Sequence, residues 1–331
     1  MSMKILLVCH ASPVIGLGHF SRLLALAKVL TKSTKVVPEF LIFGDSLGRD
    51  ELAKFKTFFM PITSNFATSV KNWVVVHEPK MVVFDIFTGY KDIDYINLFL
   101  WMTERHIYKV CIDALVELFD YVDLVWIPSF AFDFTKYPNQ ISNLKFGWDS
   151  FLLQKRLENQ TWKEGLKVLV LTGGGDVTKL GDTLPKQLDM LLNHNVEIEW
   201  VKGPFADAPI LPRKPRLKWN IHNAPAQLDE LIVQANYVLT VYGVSFFEVI
   251  QYGVPTVVFS PYGIKDNEEL IALQKEQVAA VSFDVNAAIK NITTLMKNQK
   301  LAKFYSERSQ KKLSQNGAEN LSKNIISMLG V

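Results

Sequence analysis

The chain has little cysteine, almost no excess of either charge and no long apolar run. Cys9 and Cys111 are the 2 cysteines in 331 residues, each inside an apolar stretch that reads as a strand. Neither belongs to a CxxC or Cys/His cluster, which excludes a disulfide framework and a thiolate zinc site and predicts two buried, reduced thiols. Lys and Arg number 36 against 33 Asp and Glu, a net charge of +3, and no dense basic run occurs. That excludes a nucleic-acid tract, so no nucleic-acid partner is expected. The apolar run Ile5–Cys9 is shorter than a signal peptide needs, and Ile96–Met102 falls far short of the ~20 residues of a membrane span. A cytoplasmic location is the resulting expectation. Membrane association would matter only for a transferase with a lipid-linked acceptor, and no basic apolar patch stands out along the sequence.

What the chain does have is the balance of a globular protein, 49% hydrophobic and 21% charged, over a length that suits two domains. Short β-branched runs alternate with helix-length amphipathic segments. Lys4–Cys9, Val36–Phe43, Met81–Phe84, Tyr108–Ile112 and Leu124–Ile127 read as buried strands. Leu23, Leu26, Ala27 and Leu30 share one face of a helix over 20–30, giving a βαβ opening with a right-handed crossover. Polar sequence around 143–165 reads as a connection. Alternation then resumes, with strands at Lys167–Leu171, Glu197–Val201, Leu217–Ile221, Tyr237–Thr240, Thr256–Phe259 and Val278–Val281. Helices are predicted over 179–192, 226–234, 245–252, 268–276, 301–313 and 318–328. This predicts an α/β protein with two Rossmann-like βαβ domains, residues 1–147 and 166–331, facing across a cleft, with the last helix placed to pack back on the first domain. Strand order is not legible. In such sheets ligands bind beyond the carboxyl ends of the strands, so the chemistry should lie in the strand-to-helix loops.

The first such loop runs from His10 to His19. Gly16 and Gly18 let backbone approach an anion, and the helix that follows offers free N–H groups. His19 falls in the first helical turn, where the helix dipole favours a neutral imidazole available as a base; His10 is a second polar contact. The loop is neither a GxGxxG fingerprint, since Arg22 takes the third position, nor a P-loop. Gly173–Gly174–Gly175–Asp176 after the next domain's first strand serves a tight turn or a close approach to phosphate. Ser245 and Glu248 have the spacing of a capping box; alternatively, after Gly243, the serine binds phosphate and the glutamate accepts ribose hydroxyls. Asp266 or Asn267 is a cap for the following helix, and the Asn267 amide suits a sugar hydroxyl or acetamido group. Asp85 and Asp113 end strands of the first domain, where a carboxylate orients His19, binds a hydroxyl or simply caps a turn.

Together these loops resemble one family. Gly16-Leu17-Gly18-His19-Phe20-Ser21-Arg22, Gly-Gly-Gly-Asp, Ser-x-x-Glu and Asp-Asn are similar to the UDP-2,4-diacetamido-2,4,6-trideoxy-β-L-altropyranose hydrolases of pseudaminic acid biosynthesis, relatives of GT-B glycosyltransferases such as MurG. The resemblance implies a GT-B-like fold, a UDP-sugar substrate, His19 as the base that activates water, Asp85 beside it, and inverting release of free sugar and UDP. It implies that Asn267 helps bind substrate and that Ser245 and Glu248 match nucleotide-binding positions; Gly16, Gly18, Arg22, Gly174, Gly175 and Gly243, on the same loops, are the further candidate nucleotide- or substrate-binding residues. The chain departs from the family at His10-Ala11-Ser12, Asp85-Ile86-Phe87, Asp113-Ala114, Leu152-Leu153-Gln154 and Asn267-Glu268, which keeps an inverting glycosyltransferase of surface-glycan synthesis open as the alternative. No cofactor or metal is expected, because the one Asp-x-Asp match, Asp92-Ile93-Asp94, lies in a helix-like stretch. A binding protein without turnover is a further alternative, and an NAD-dependent oxidoreductase is disfavoured by the incomplete fingerprints.

Overall fold

The computed structural model describes residues 2–46, 50–89, 93–137 and 141–331. The chain order is β1 (Met3–Ala11), α1 (Gly18–Leu30), β2 (Val36–Gly44), β3 (Lys56–Met60), α2 (Phe66–His77), β4 (Met81–Asp85), α3 (Tyr95–Thr103), β5 (Tyr108–Ile112), β6 (Leu124–Ile127) and β7 (Leu144–Phe146). It continues with β8 (Lys167–Leu171), α4 (Leu180–Leu191), β9 (Glu197–Lys202), β10 (Lys218–Asn223), α5 (Leu228–Gln234), β11 (Tyr237–Val241), α6 (Val244–Ile250), β12 (Thr256–Phe259), α7 (Asn267–Glu276), β13 (Ala280–Ser282), α8 (Val285–Lys297), α9 (Gln299–Lys312) and α10 (Gly317–Leu329). Two compact units result, Met1–Leu153 with Gln315–Val331, and Gln154–Ser314.

The first unit is built on a seven-stranded parallel sheet ordered β3-β2-β1-β4-β5-β6-β7. Its central strands are apolar on both faces, as helix-covered parallel strands must be; Ile5 to Cys9 and Met81 to Phe84 are wholly buried. Successive strands step to one side through β3 and then cross to β4 on the other, so the order reverses between β1 and β4. β3, β7, α2 and α3 went unanticipated. β3 and β7 are short edge strands with too few apolar residues to show a period. β7 also takes part of the stretch expected as a connection into the sheet. The final helix α10 packs on α1. Its first residue must be glycine, since a Cβ on Gly317 would sit 2.4 Å from the Ser150 carbonyl carbon and 2.5 Å from the Phe151 oxygen.

The second unit holds a six-stranded parallel sheet ordered β10-β9-β8-β11-β12-β13, reversing between β8 and β11. Helices α4 and α8 cover one face, where Leu184, Leu188, Ile289 and Ile292 pack on Ile198, Trp200 and Leu239. Ile232, Val249 and Tyr252 cover Leu169 and Val238 on the other face. Helix α8 was missed by the sequence reading, although its apolar residues recur with a clean helical period. Pro185 lies inside α4 and has no N–H for the Gly181 carbonyl; that carbonyl accepts the Ile210 N–H instead, at 2.8 Å. Among the described residues, no helix is long and apolar enough to cross a membrane.

Candidate active site

The first unit's polar centre lies at the carboxyl ends of β1 and β4, across the reversal of its sheet. In the ladder Cys9 pairs with Asp85, so the loop leaving β1 runs beside the last residue of β4. That loop closes on itself: the Gly16 N–H donates to the Ser12 carbonyl at 2.7 Å and the Ile15 N–H to Ser12 Oγ at 3.2 Å. Gly16 adopts φ +85°, with open space around the position a Cβ would take. The turn delivers the chain into α1 at Gly18, and His19 follows in the first turn.

His19 Nδ1 lies 2.6 Å from Asp85 Oδ1. Arg22, one turn further along α1, binds the same carboxylate with both arms of its fork, Nε to Oδ2 at 2.8 Å and Nη2 to Oδ1 at 2.7 Å. Its remaining arm, Nη1, donates to Asp113 Oδ2 at 2.7 Å. Asp113 sits just past β5 with φ +58°, a left-handed conformation Asp tolerates better than most residues. Asp85 is completely buried. Burial alone would raise its carboxyl, but the Arg22 charge and hydrogen bonds, with His19 adding to them, outweigh it and hold the group below the ordinary carboxylate range. For Arg22, burial opposes the charge, and Asp85 and Asp113 overcome it, so the guanidinium stays charged.

This network fixes the histidine tautomer. An ionised Asp85 only accepts, so His19 Nδ1 must donate, leaving Nε2 with a free lone pair. Arg22 Nη2 also approaches Nδ1, at 3.1 Å. Both are donors around the shared Asp85 oxygen, so that contact is packing. His19 keeps 19% of its side chain exposed while Asp85 keeps none. The imidazole is therefore partly exposed at the end of the sheet and the carboxylate holds it from behind, an arrangement that would suit a general base.

Below this pair, His10 is buried with its Nδ1 accepting the Phe87 N–H at 3.1 Å. Its ring lies against Phe43 and Phe66. Burial, aided by the nearby His19, pushes its pKa down to about 4. His10 is thus a neutral strut between β1 and the turn after β4. Cys9 and Cys111 are buried free thiols, both raised by burial.

In the second unit, the other residues singled out by sequence gather on the loops after β8, β11 and β12, also at the sheet reversal. Gly173 turns the chain with φ +89°, whereas Gly174 has an ordinary backbone and open space where a Cβ would stand. Gly175 follows directly. Asp176 accepts the Leu180 and Gly181 N–H groups at 2.9 and 2.8 Å, so the start of α4 is already occupied by the protein's own carboxylate. The sequence reading overlooked Gly203, after β9. A Cβ there would lie 2.4 Å from the Gly173 and Gly174 oxygens, and the Phe205 N–H donates to Gly174 O at 3.0 Å. Its one sequence signal was an isolated glycine closing a predicted strand.

The capping box expected of Ser245 and Glu248 does not form. Helix α6 starts at Val244 with Gly243, φ +147°, as its cap and no side chain bonded there, so Ser245 is already inside the helix. Ser245 and Glu248 are half-buried. Neither Asp266 nor Asn267 caps α7 through its side chain. Asp266 Oδ2 instead accepts from Ser260 Oγ at 2.5 Å, and Ser260 Oγ accepts the Tyr262 N–H at 3.1 Å, which ties the loop back to β12. Asn267 opens α7, half-buried. Of the Asp-x-Asp match, Asp92 lies outside the described residues and Asp94 caps α3 through the Asn97 N–H at 3.0 Å. The structure thus brings Gly16, Gly18, His19, Arg22 and Asp85 together in one unit. Gly174, Gly175, Gly243, Ser245, Glu248 and Asn267 stand on neighbouring loops of the other.

No protein-family model matches this chain, and no curated protein matches it. Solved structures do. MurG of Acinetobacter baumannii aligns with a TM-score of 0.64 at 16% identity, over 98% of this chain and 99% of that one. The spinosyn forosaminyltransferase SpnP aligns at 0.68 with 9% identity over 100% of both chains. The UDP-GlcNAc 2-epimerase of Neisseria meningitidis, solved with UDP-GlcNAc bound, aligns at 0.61 with 12% identity over 99% of both. The chain therefore has the GT-B type of fold, with two Rossmann-like parallel-sheet domains.

Proposed function

We propose that the protein is an enzyme acting on a UDP-activated sugar, with His19 as the general base. The His19–Asp85 pair at the reversal point of the first sheet carries this reading, because it holds a partly exposed imidazole in one orientation where such sheets bind their ligands. The attacking hydroxyl gives its proton to Nε2 as its oxygen bonds to the anomeric carbon. The bond from that carbon to the diphosphate breaks, the diphosphate leaves with the electron pair, and configuration inverts. The second unit's loops suit the leaving group. The open Gly174 backbone, with Gly175 and Ser245, suits a diphosphate, Glu248 suits ribose hydroxyls, and the Asn267 amide suits a sugar hydroxyl or acetamido group. Backbone N–H groups at a diphosphate stabilise charge as it develops. Arg22, a ligand-contact candidate on sequence, acts here through Asp85 as a positioning residue.

With water as nucleophile, the reaction is hydrolysis of a UDP-linked diacetamido-trideoxyhexose to free sugar and UDP, in keeping with the loop motifs. A sugar or lipid-linked hydroxyl in its place makes the protein a glycosyltransferase, a reading favoured by the structural likeness to SpnP. The deciding experiment follows UDP release from a panel of UDP-sugars without acceptor. Stoichiometric UDP and free sugar identify the hydrolase; tight UDP binding without release points to a missing acceptor and makes the transferase the leading reading. Absence of both overturns the reading. His19→Ala should lower turnover by roughly 10²–10⁴-fold with UDP affinity retained; unchanged turnover removes the base assignment.

A further inference from the structure

Helix α4 and the segment after β9 build a cationic ridge that no part of the proposed chemistry uses. The segment is fastened along α4 at both ends. Near the start of the helix, the Gly181 carbonyl freed by Pro185 holds the Ile210 N–H at 2.8 Å. Near its end, the buried Asp189 carboxylate accepts the N–H groups of Arg216, at 2.9 Å, and Leu217, at 3.0 Å. Arg216 Nη1 also reaches the Met190 carbonyl, at 3.2 Å. Pro212 and Pro215 lack N–H groups and restrict the backbone between these anchors.

The outward surface at the end of α4 combines charge with exposed apolar side chains. Lys186 and Met190 are one helical turn apart on the same face. Met190 is 63% exposed and Leu191 56% exposed. Arg213, Lys214 and Arg216 are exposed on the fastened segment, Arg216 against the Met190 carbonyl, and neither they nor Lys186 form an ion pair among the described residues. The exposed carboxylates Asp182 and Asp207 lie toward the other end of the segment, near Gly181 and Ile210, and the part-exposed Glu197 beyond Arg216 is taken up by Lys218 at 2.8 Å.

We infer that this ridge docks the protein on an anionic lipid surface. Its shape is an end of helix flanked by a fastened strap, with cations around two exposed aliphatic side chains. Long cationic side chains can engage headgroup phosphates while Met190 and Leu191 enter the headgroup–acyl boundary. A planar surface of uniform negative charge meets all of these groups together. Such docking does not require a lipid-linked acceptor, and so departs from the expectation that only a transferase would associate with a membrane.

The test is co-flotation of the full chain with phosphatidylcholine vesicles, with and without phosphatidylglycerol. Binding should require phosphatidylglycerol and weaken with salt as screening shortens the reach of the charges. The combined substitutions Arg213→Ser, Lys214→Ser and Arg216→Ser leave the backbone bonds to Asp189 available, so circular dichroism should be unchanged. They should weaken binding on the order of 100-fold, about a factor of five per charge. Met190→Ser with Leu191→Ser should weaken it at any salt. No binding to the anionic vesicles overturns the inference, as does equal binding by the triple variant. Capture by polyglutamate as tight as by vesicles, unaffected by the Met190 and Leu191 changes, overturns it in favour of an acidic protein partner.

Discussion

Arg22 grips both oxygens of the buried Asp85, at 2.7 and 2.8 Å, while its third arm holds Asp113. The guanidinium fork matches a carboxylate bidentately in a way an ammonium does not. Arg22→Lys keeps a charge but should leave Asp85 partly unpaired and cost about 1–3 kcal/mol of stability, the usual consequence of leaving a buried acceptor unsatisfied. Thermal unfolding checks this, and a melting temperature within a degree or two of wild type would refute it. Asp85→Asn should lower turnover by roughly 10²–10⁴-fold, because the imidazole loses its fixed tautomer.

His10 makes stability depend on pH in a defined window. Its folded pKa is about 4 against 6.5 for the free side chain. As pH falls from 6.5 to 4, the unfolded chain takes up this proton and the folded chain does not, so stability drops through that window and levels below it. The span corresponds to about 3 kcal/mol. His10→Gln keeps an acceptor for the Phe87 N–H and has nothing to titrate. Chemical denaturation at pH 7 and pH 4.5 should show a smaller loss in the variant; equal losses would mean that the histidine is not held neutral.

Gly174 and Gly203 should respond in opposite ways to alanine. A Cβ on Gly203 meets the Gly173 and Gly174 oxygens at 2.4 Å, so Gly203→Ala must displace the glycine loop. Its expected cost is about 1–3 kcal/mol in stability, together with nucleotide affinity. A Cβ on Gly174 meets nothing, so Gly174→Ala should fold at least as stably as wild type. Calorimetric titration with UDP should nonetheless show weaker binding if the diphosphate lies against that backbone.

Glu248 separates two roles, of which the sequence favoured the capping box. With Gly243 capping α6 and Ser245 inside the helix, Glu248 has no capping box to complete. Glu248→Ala should weaken UDP binding about tenfold or more, the loss of a charge-assisted contact to ribose, with melting temperature little changed. Intact affinity with lowered stability would restore a purely structural role.

Much of this protein was legible one segment at a time. The alternating strands and helices, the loops after β1, β8, β11 and β12, and His19 in a glycine-flanked turn all follow from local periodicity and the chemistry of a few residues. Short edge strands such as β3 and β7 escaped because two or three apolar residues show no period. The capping box at Ser245 was misread because the helix start moved by one residue. Strand order was beyond the sequence, since packing between distant segments decides it; yet that order puts Asp85 beside the loop that leaves Cys9. Arg22 looked like a ligand contact until Asp85 and Asp113, 63 and 91 residues away in the chain, took its donors. The ridge on α4 is split between 186–191 and 210–216, and becomes one surface only when Gly181 and Asp189 fasten the second segment to the first. The sequence determined which elements and reactive groups the protein has. The tertiary structure alone decided which charges meet, because ion pairs and cationic faces form between residues that chain connectivity does not bring together.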